Sequence, residues 1–358
     1  MPSTVEAVIV AGGFGTRLLP LTTHRPKHLL EVGGAPFLTH QIARLADAGV
    51  QHIVLATSYH AERFEPVLGD GSAWGVRLTY VQEQQPLGTA GAIRNVRPVL
   101  ADDPEGAVVI LNGDILSAHD LAGQLADFET SKDGRAVDVS LHLVQVDDAR
   151  PYGCVPTDEV GRVTGFMEKS DAPVTNQINA GCYVFRRRVV DEIPPGRIVS
   201  VERETFPELV EKGRVVVGFV DPAYWRDVGT PESLVAASKD LVLGVAPSSW
   251  TEAEPSAARL DPSSDVDDTA TVNGGSTVAA SARVGSGAIV SGSVVMPGAV
   301  IEQDAVVVDS VVGPGAVIGS GAKLTEATIG DDARIGPGVA VSAGERIDCG
   351  AEIRLRDR

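Results

Sequence analysis

From Val266 onward an aliphatic residue returns at nearly constant intervals, and few folds tolerate that pattern. The series runs Val266, Val272, Val278 and Val284 at six-residue spacing, then resumes after a five-residue step at Ile289, Val295, Ile301 and Val307. Further short steps lead to Val312, Ile318 and Leu324, then to Ile329, Ile335, Val341, Ile347 and Ile353. Segments this short cannot bury an apolar face alone, so they must stack on one another. Several anchors open the pattern aliphatic-Gly-x-Gly, as in Val284–Gly287 and Val312–Gly315. The spacing specifies a parallel β-helix in which each side turns one aliphatic group inward and small residues take the corners. With three sides to a coil, about five coils should stack.

The residues before the repeat follow a different rule. Short apolar runs at 5–10, 53–56, 78–81 and 107–111 alternate with helix-like stretches at 36–49, 87–100 and 119–129. Such alternation predicts an α/β domain, a Rossmann-like mixed and mostly parallel sheet with helices on both faces. From Val137 the pattern turns β-rich, and it closes with a helix from Val201 to Lys212 broken or kinked at Pro207, a strand at 215–220 and a helix from Pro231 to Leu243. The expected organisation is therefore a domain over 1–243, a linker over 244–265 rich in Ala, Pro, Ser and acidic residues, and the β-helix over 266–358. At 358 residues the chain exceeds what one core usually supports.

In a parallel sheet, ligands bind beyond the carboxyl ends of the strands. The first strand ends in Ala11-Gly12-Gly13-Phe14-Gly15, with Arg17 and Lys27 downstream. Exposed amides of such a loop make an anion cradle, and Arg17 and Lys27 add a fork and a point charge. By itself the cluster is equally an ordinary strand-to-helix turn. Asn112-Gly113-Asp114 and Asp227 lie at other strand ends, and paired carboxylates beside a phosphate ligand suit Mg2+. The bland readings are a tight turn at Asn-Gly-Asp and a helix-capping acid at Asp227. The net charge of −18 disfavours nucleic acid and anionic membranes as partners, but leaves room for a small phosphorylated ligand in a local cationic pocket. Cys154, Cys182 and Cys349 lack metal-ligand spacing, and the N-terminus lacks a leader pattern, so a cytoplasmic protein is expected.

Taken together, Ala11–Lys27, Pro86–Gly91, Asn112–Asp114, Glu168-Lys169, Ile178–Gly181 and Trp225–Gly229 give a chain that resembles the sugar-1-phosphate nucleotidyltransferases, above all the guanylyltransferase branch of actinobacterial type. The resemblance covers essentially the whole chain, and it implies that the β-helix is left-handed. It also implies transfer of a guanylyl group from GTP to mannose 1-phosphate. Ala11, Gly12 and Gly13 would hold the nucleotide, with Glu83, Gly88 and Thr89 near the base. Arg17 would meet the triphosphate, and Lys27 the α-phosphate and sugar phosphate. Asp114 and Asp227 would hold Mg2+. Gly153, Glu168 and Asn179 would meet sugar hydroxyls, and Lys169 the sugar phosphate. Glu168-Lys169 as a solvated pair and Asn179 as a turn residue are the alternatives.

The sequence departs from the family motif at Leu19, where a basic residue is usual, and at His28, where proline is usual. Glucose 1-phosphate, a cyclitol phosphate or another nucleoside triphosphate therefore stay open as substrates. Three other classes are weaker. A hexapeptide acyltransferase would want a histidine in the repeat, and all seven histidines lie at or before His142. A silent regulatory subunit would not need Arg17, Lys27, Asp114 and Asp227. A dinucleotide fingerprint starting at Gly13 fails at Leu18. The β-helix is expected to act as a surface for homo-oligomer assembly.

Overall fold

The computed structural model describes residues 5–132, 134–167, 169–250 and 255–355. They form two compact units, and the chain passes between them more than once. Residues 5–13 join 41–225 in one unit, while 14–40 join 226–355 in the other.

The first unit is built on a seven-stranded sheet. Its strands are β1 (Glu6–Ala11), β2 (His52–Thr57), β3 (Arg77–Gln82), β4 (Ala107–Asn112), β5 (Val139–Gln145), β6 (Gln177–Arg186) and β7 (Val216–Val220), in the order β7-β5-β6-β4-β1-β2-β3. Every neighbouring pair is parallel except those of β6, which runs antiparallel to both β4 and β5. Continuous apolar runs such as Ala7–Ile9 and Val108–Ile110 are fully buried, as expected for strands covered on both faces. Helix α1 (Gly88–Asn95) lays Ala90 and Ile93 on this core, with Val96 just beyond its end.

The register fixes where the strand ends fall. Val10 pairs with Asn112 and Ala11 with Thr57, so β1, β2 and β4 finish at one edge. Leu111 pairs with Cys182, which brings Asn179–Gly181 of antiparallel β6 to the same edge. Two helix expectations change. The stretch 87–100 breaks after Asn95, because Pro98 sits in a separate 3-10 turn, Arg97–Val99, and cannot donate within a continuing helix. In the stretch from Val201 to Lys212, Pro207 lies in the first turn of a short helix, Phe206–Glu211, where its missing amide costs nothing.

The second unit combines the loop 14–40, helix α2 (Pro231–Val242) and the repeat. A reciprocal cap starts α2: Ser233 N–H donates to Thr230 Oγ1 at 3.2 Å, and Thr230 N–H to Ser233 Oγ at 3.0 Å. The loop leans on this helix, since a Cβ built on Gly33 would lie 2.8 Å from Leu241 and Gly33 N–H donates to Ser238 Oγ at 3.0 Å. The repeat forms three parallel sheets of six, six and five strands, consistent with the left-handed β-helix that the resemblance implies.

Two features of the repeat correct the sequence reading. Ala258–Leu260 and Asp265–Val266 are strands paired to Ser276–Val278 and Arg283–Val284, so the coils open inside the stretch expected to be a linker. The second concerns phasing: Val290 is buried, whereas Ile289 is 41% exposed. The five-residue step therefore falls between Val290 and Val295. It is turned there by Gly292, whose φ of 59° is left-handed, and the equivalent corners 17 residues on use Asp309 and Glu326 at φ 46° and 47°. Among the described residues, no helix is long and apolar enough to cross a membrane.

Candidate active site

Glycine at position 12 allows β1 to end tightly against β2. A Cβ there would lie 3.2 Å from Ser58 Oγ, and the next amide, Gly13 N–H, donates to that same oxygen at 3.2 Å. Gly13 is required by its backbone, at φ +99°, and a side chain would meet no atom. One strand over, Gly113 N–H donates to Val10 O at 3.0 Å, which ties the Asn112-Gly113-Asp114 turn to the end of β1. Gln41 holds the turn from outside, donating from Nε2 to Asn112 O at 2.9 Å and Ile115 O at 2.7 Å. Asp114 is half-buried.

Of the stretches expected near the sugar, Asn179–Gly181 lies beside this turn. Gly181, at φ +74°, leaves room for Asn112 Nδ2, which a Cβ would approach to 2.9 Å. Asn179 donates from Nδ2 to Tyr183 Oη at 2.9 Å, and its Oδ1 accepts from Gly181 N–H at 3.0 Å. The indole of Trp225 donates to Ala180 O at 2.9 Å and stands edge-on to Tyr152, with 5.8 Å between ring centres. Gly153 follows Tyr152 with a left-handed φ of 83°. Met167 pairs with Cys154 as an isolated bridge, which leads the chain to Glu168 and Lys169. Lys169 is exposed, and Glu168 lies outside the described residues.

Glu83 follows β3 and is only 9% exposed. Burial pushes its carboxyl up from the usual range, an effect partly countered by Leu87 N–H, which donates to Oε2 at 3.4 Å. Gly88 and Thr89 have packing roles of their own. A Cβ on Gly88, at φ +72°, would sit 2.6 Å from Val199 O. Thr89 Oγ1 accepts from Val201 N–H at 2.9 Å and donates to Glu202 Oε2 at 3.1 Å. Tyr183 Oη reaches the other Glu202 oxygen at 3.5 Å. A continuous chain of polar contacts, Thr89–Glu202–Tyr183–Asn179, therefore joins the positions expected near the base to those expected near the sugar. Sequence reading missed Gln41, Ser58, Tyr183 and Glu202. Gln41, Ser58 and Glu202 each take a partner distant in sequence, in Asn112, Gly13 and Thr89, whereas Tyr183 meets Asn179 within the same strand.

In the second unit, Gly15 folds the loop back on itself. Its φ is +63°, a Cβ would lie 3.0 Å from Thr22 Cγ2 and 3.2 Å from Lys27 Cβ, and Thr22 Oγ1 donates to Gly15 O at 3.0 Å. Lys27 is half-buried, the departing residue His28 is buried in the 3-10 turn Lys27–Leu29, and Leu19 is 42% exposed. Arg17 is exposed, and its guanidinium lies on Gly229: a Cβ there would collide with Nη2 and come within 2.8 Å of Asp227 Oδ1. Glycine at 229 thus lets an arginine and a carboxylate share one small surface. Both carboxylates of the expected metal pair, Asp114 and Asp227, are half-buried oxygen donors, the ligand type that a hard divalent cation prefers.

Comparison with known proteins gives the family of the chain. A family model described as Nucleotidyl transferase matches residues 6–242, and one described as GMPPB C-terminal domain matches residues 256–344. A mannose-1-phosphate guanylyltransferase of Mycobacterium tuberculosis is 49% identical over 284 residues, 79% of this chain and 77% of that protein. Mannose-1-phosphate guanylyltransferase 1 of Arabidopsis thaliana is 34% identical over 291 residues, 80% and 78% of the two chains. Among solved structures, HddC from Yersinia pseudotuberculosis matches with a TM-score of 0.56 at 31% identity, covering 66% of this chain and 98% of that one.

Proposed function

Because the chain belongs to the nucleotidyl transferase family, we propose that it is an enzyme that joins GTP and mannose 1-phosphate into GDP-mannose with release of pyrophosphate. One observation above all carries the reading: the Gly12-Gly13 amides, the Asn-Gly-Asp turn and Asn179–Gly181 share one edge of one sheet.

The chemistry follows from charge. A phosphate oxygen of the sugar phosphate attacks the α-phosphorus, a new P–O bond forms, and the bond to the bridging oxygen of the β-phosphate breaks. The nucleophile is an anion at neutral pH, so no general base is required. The barrier lies in bringing two polyanions together and stabilising charge on the leaving pyrophosphate, so positioning and cationic screening supply most of the catalysis. In this reading Ala11, Gly12 and Gly13 present amides to the nucleotide, Arg17 holds the triphosphate, and Lys27 and Lys169 hold the phosphates that react. Gly153, Glu168 and Asn179 orient the sugar. Asp114 and Asp227 would hold Mg2+, which would supply positive charge to the phosphate oxygens. Glu83, an acceptor-only carboxylate, suits guanine, which offers two N–H groups on its pairing edge. The enzyme works in the cytoplasm and assembles through its β-helix.

Pyrophosphate release across a grid of nucleoside triphosphates and sugar 1-phosphates, with Mg2+, tests the reading. GTP with mannose 1-phosphate should be the fastest pair. Lys27→Ala and Asp114→Ala should each lower kcat by about a hundredfold or more with little change in melting temperature. No turnover of GTP with any acceptor would refute the guanylyl assignment.

A further inference from the structure

The loop that presents Arg17 is held by the last coils of the β-helix. Within Thr16–Leu21 three carbonyls are used locally, Thr16 O by Leu19 N–H at 3.3 Å, Leu18 O by Leu21 N–H at 3.0 Å and Pro20 O by Thr23 N–H at 3.1 Å. The carbonyls in between are taken by the β-helix. Arg346 Nη1 donates to Arg17 O at 2.7 Å and to Leu19 O at 3.3 Å, and Cys349 Sγ–H points to Pro20 O at 3.5 Å. Arg25 completes the junction. Its guanidinium forks onto Asp331, Nη1 to Oδ1 at 3.0 Å and Nη2 to Oδ2 at 2.5 Å, while Nη1 also donates to Leu21 O at 3.1 Å. Asp331 and Cys349 lie on adjacent coils, tied by Gly350 N–H to Asp331 O at 2.7 Å. His24 brings a third ligand-type atom within 4.8 Å of those on Asp331 and Cys349. A cation there would have to compete with Arg25 for both Asp331 oxygens, so this cluster reads as part of the clamp.

We infer that Arg346 is a positioning residue for nucleotidyl transfer: by holding the carbonyls of Arg17 and Leu19 it fixes the backbone from which the Arg17 guanidinium reaches the triphosphate. The terminal coil of the β-helix thereby belongs to the nucleotide-binding apparatus as well as to assembly. This inference rests on the role proposed for Arg17.

The test compares Arg346→Ala, Arg346→Lys, Arg17→Ala and the double variant Arg17→Ala/Arg346→Ala in the full-length enzyme. Arg346→Ala should raise the KM for the nucleoside triphosphate about tenfold, the factor for one lost charge-assisted hydrogen bond, and leave the KM for the sugar phosphate within about twofold. Amide exchange over residues 16–21 should quicken, because the turn amides of Leu18, Leu19 and Leu21 lose their support. Arg346→Lys, able to reach one carbonyl, should recover part of both effects. In the Arg17→Ala background the second substitution should cost no more than about twofold, since the group it positions is gone. Unchanged exchange in Arg346→Ala, or losses that simply add in the double variant, would overturn the inference. Normal kinetics of Arg17→Ala alone would instead sink the assignment of Arg17, and loop exchange would then decide the clamp by itself.

Discussion

At Glu83 the carboxylate is nearly buried and accepts a long hydrogen bond from Leu87 N–H at 3.4 Å. Both oxygens of an ionised carboxylate accept, whereas an amide presents one acceptor and one donor. Glu83→Gln should therefore lower kcat/KM for GTP about tenfold and raise the relative use of other nucleotides, as read from competition between GTP and UTP. An unchanged ratio would detach Glu83 from base selection. Neighbouring positions show how a motif residue can have a second reason to exist. Gly88 cannot carry a side chain because Val199 O is in the way, and the Thr89 hydroxyl is engaged with Glu202 and Val201. The glycines were readable from the sequence because backbone conformation is a local property. Ser58, Tyr183 and Glu202 were not, because a polar side chain gains its role only from a partner that the fold delivers.

The β-helix shows the same division at the level of an element. Its period was plain in the sequence, since one inward aliphatic group per side is what stacking demands. The phase at Ile289-Val290 was not: two aliphatic residues stand side by side, and the corner at Gly292 decides which one turns inward. Serines after the corners add a ladder, Ser293 N–H donating to Ser276 Oγ and Ser310 N–H to Ser293 Oγ, both at 3.1 Å. Ile301→Ala, in a fully buried position, should cost about 2–5 kcal/mol in chemical denaturation. Ile289→Ala should stay within about 0.5 kcal/mol. Comparable losses at both positions would restore the phasing read from the sequence alone.

Across the whole molecule, buried histidines set the response to acid. In the sheet unit, Arg44 Nη2 donates to His119 Nδ1 at 2.5 Å, and the His119 ring stacks on His142 with centres 3.7 Å apart. Burial, with Arg44 nearby, holds His142 down to about 4 and His119 lower still. The unfolded chain takes up those protons near pH 6.5 and the folded unit does not, so stability is lost as pH falls from 6.5 toward 4. The loss is at most about 1.4 kcal/mol per pH unit for each histidine. The second unit is balanced. His40, buried between Ser248 Oγ and Val32 O, is also lowered to about 4, while burial near Asp261 raises Glu31 to about 7. Glu31 keeps its proton up to pH 7 when folded and releases it near 4.5 when unfolded, so it gains stability as pH falls through the window where His40 loses it. Calorimetry should show the melting temperature nearly level from pH 8 to 7 and falling below 6.5, with a shallower fall in His142→Gln. A level profile down to pH 5 would contradict this.

The sequence by itself determined the two architectures and the residue types at the strand ends. Burial periodicity, glycine conformation and the chemistry of phosphate and metal ligands all act over a few residues. Only the tertiary structure decided that the loop from Phe14 to His40 packs with the β-helix, and that Arg346, 329 residues from Arg17, holds its carbonyl. Contacts of that kind depend on where two surfaces come to rest, and no local pattern in either segment encodes the other.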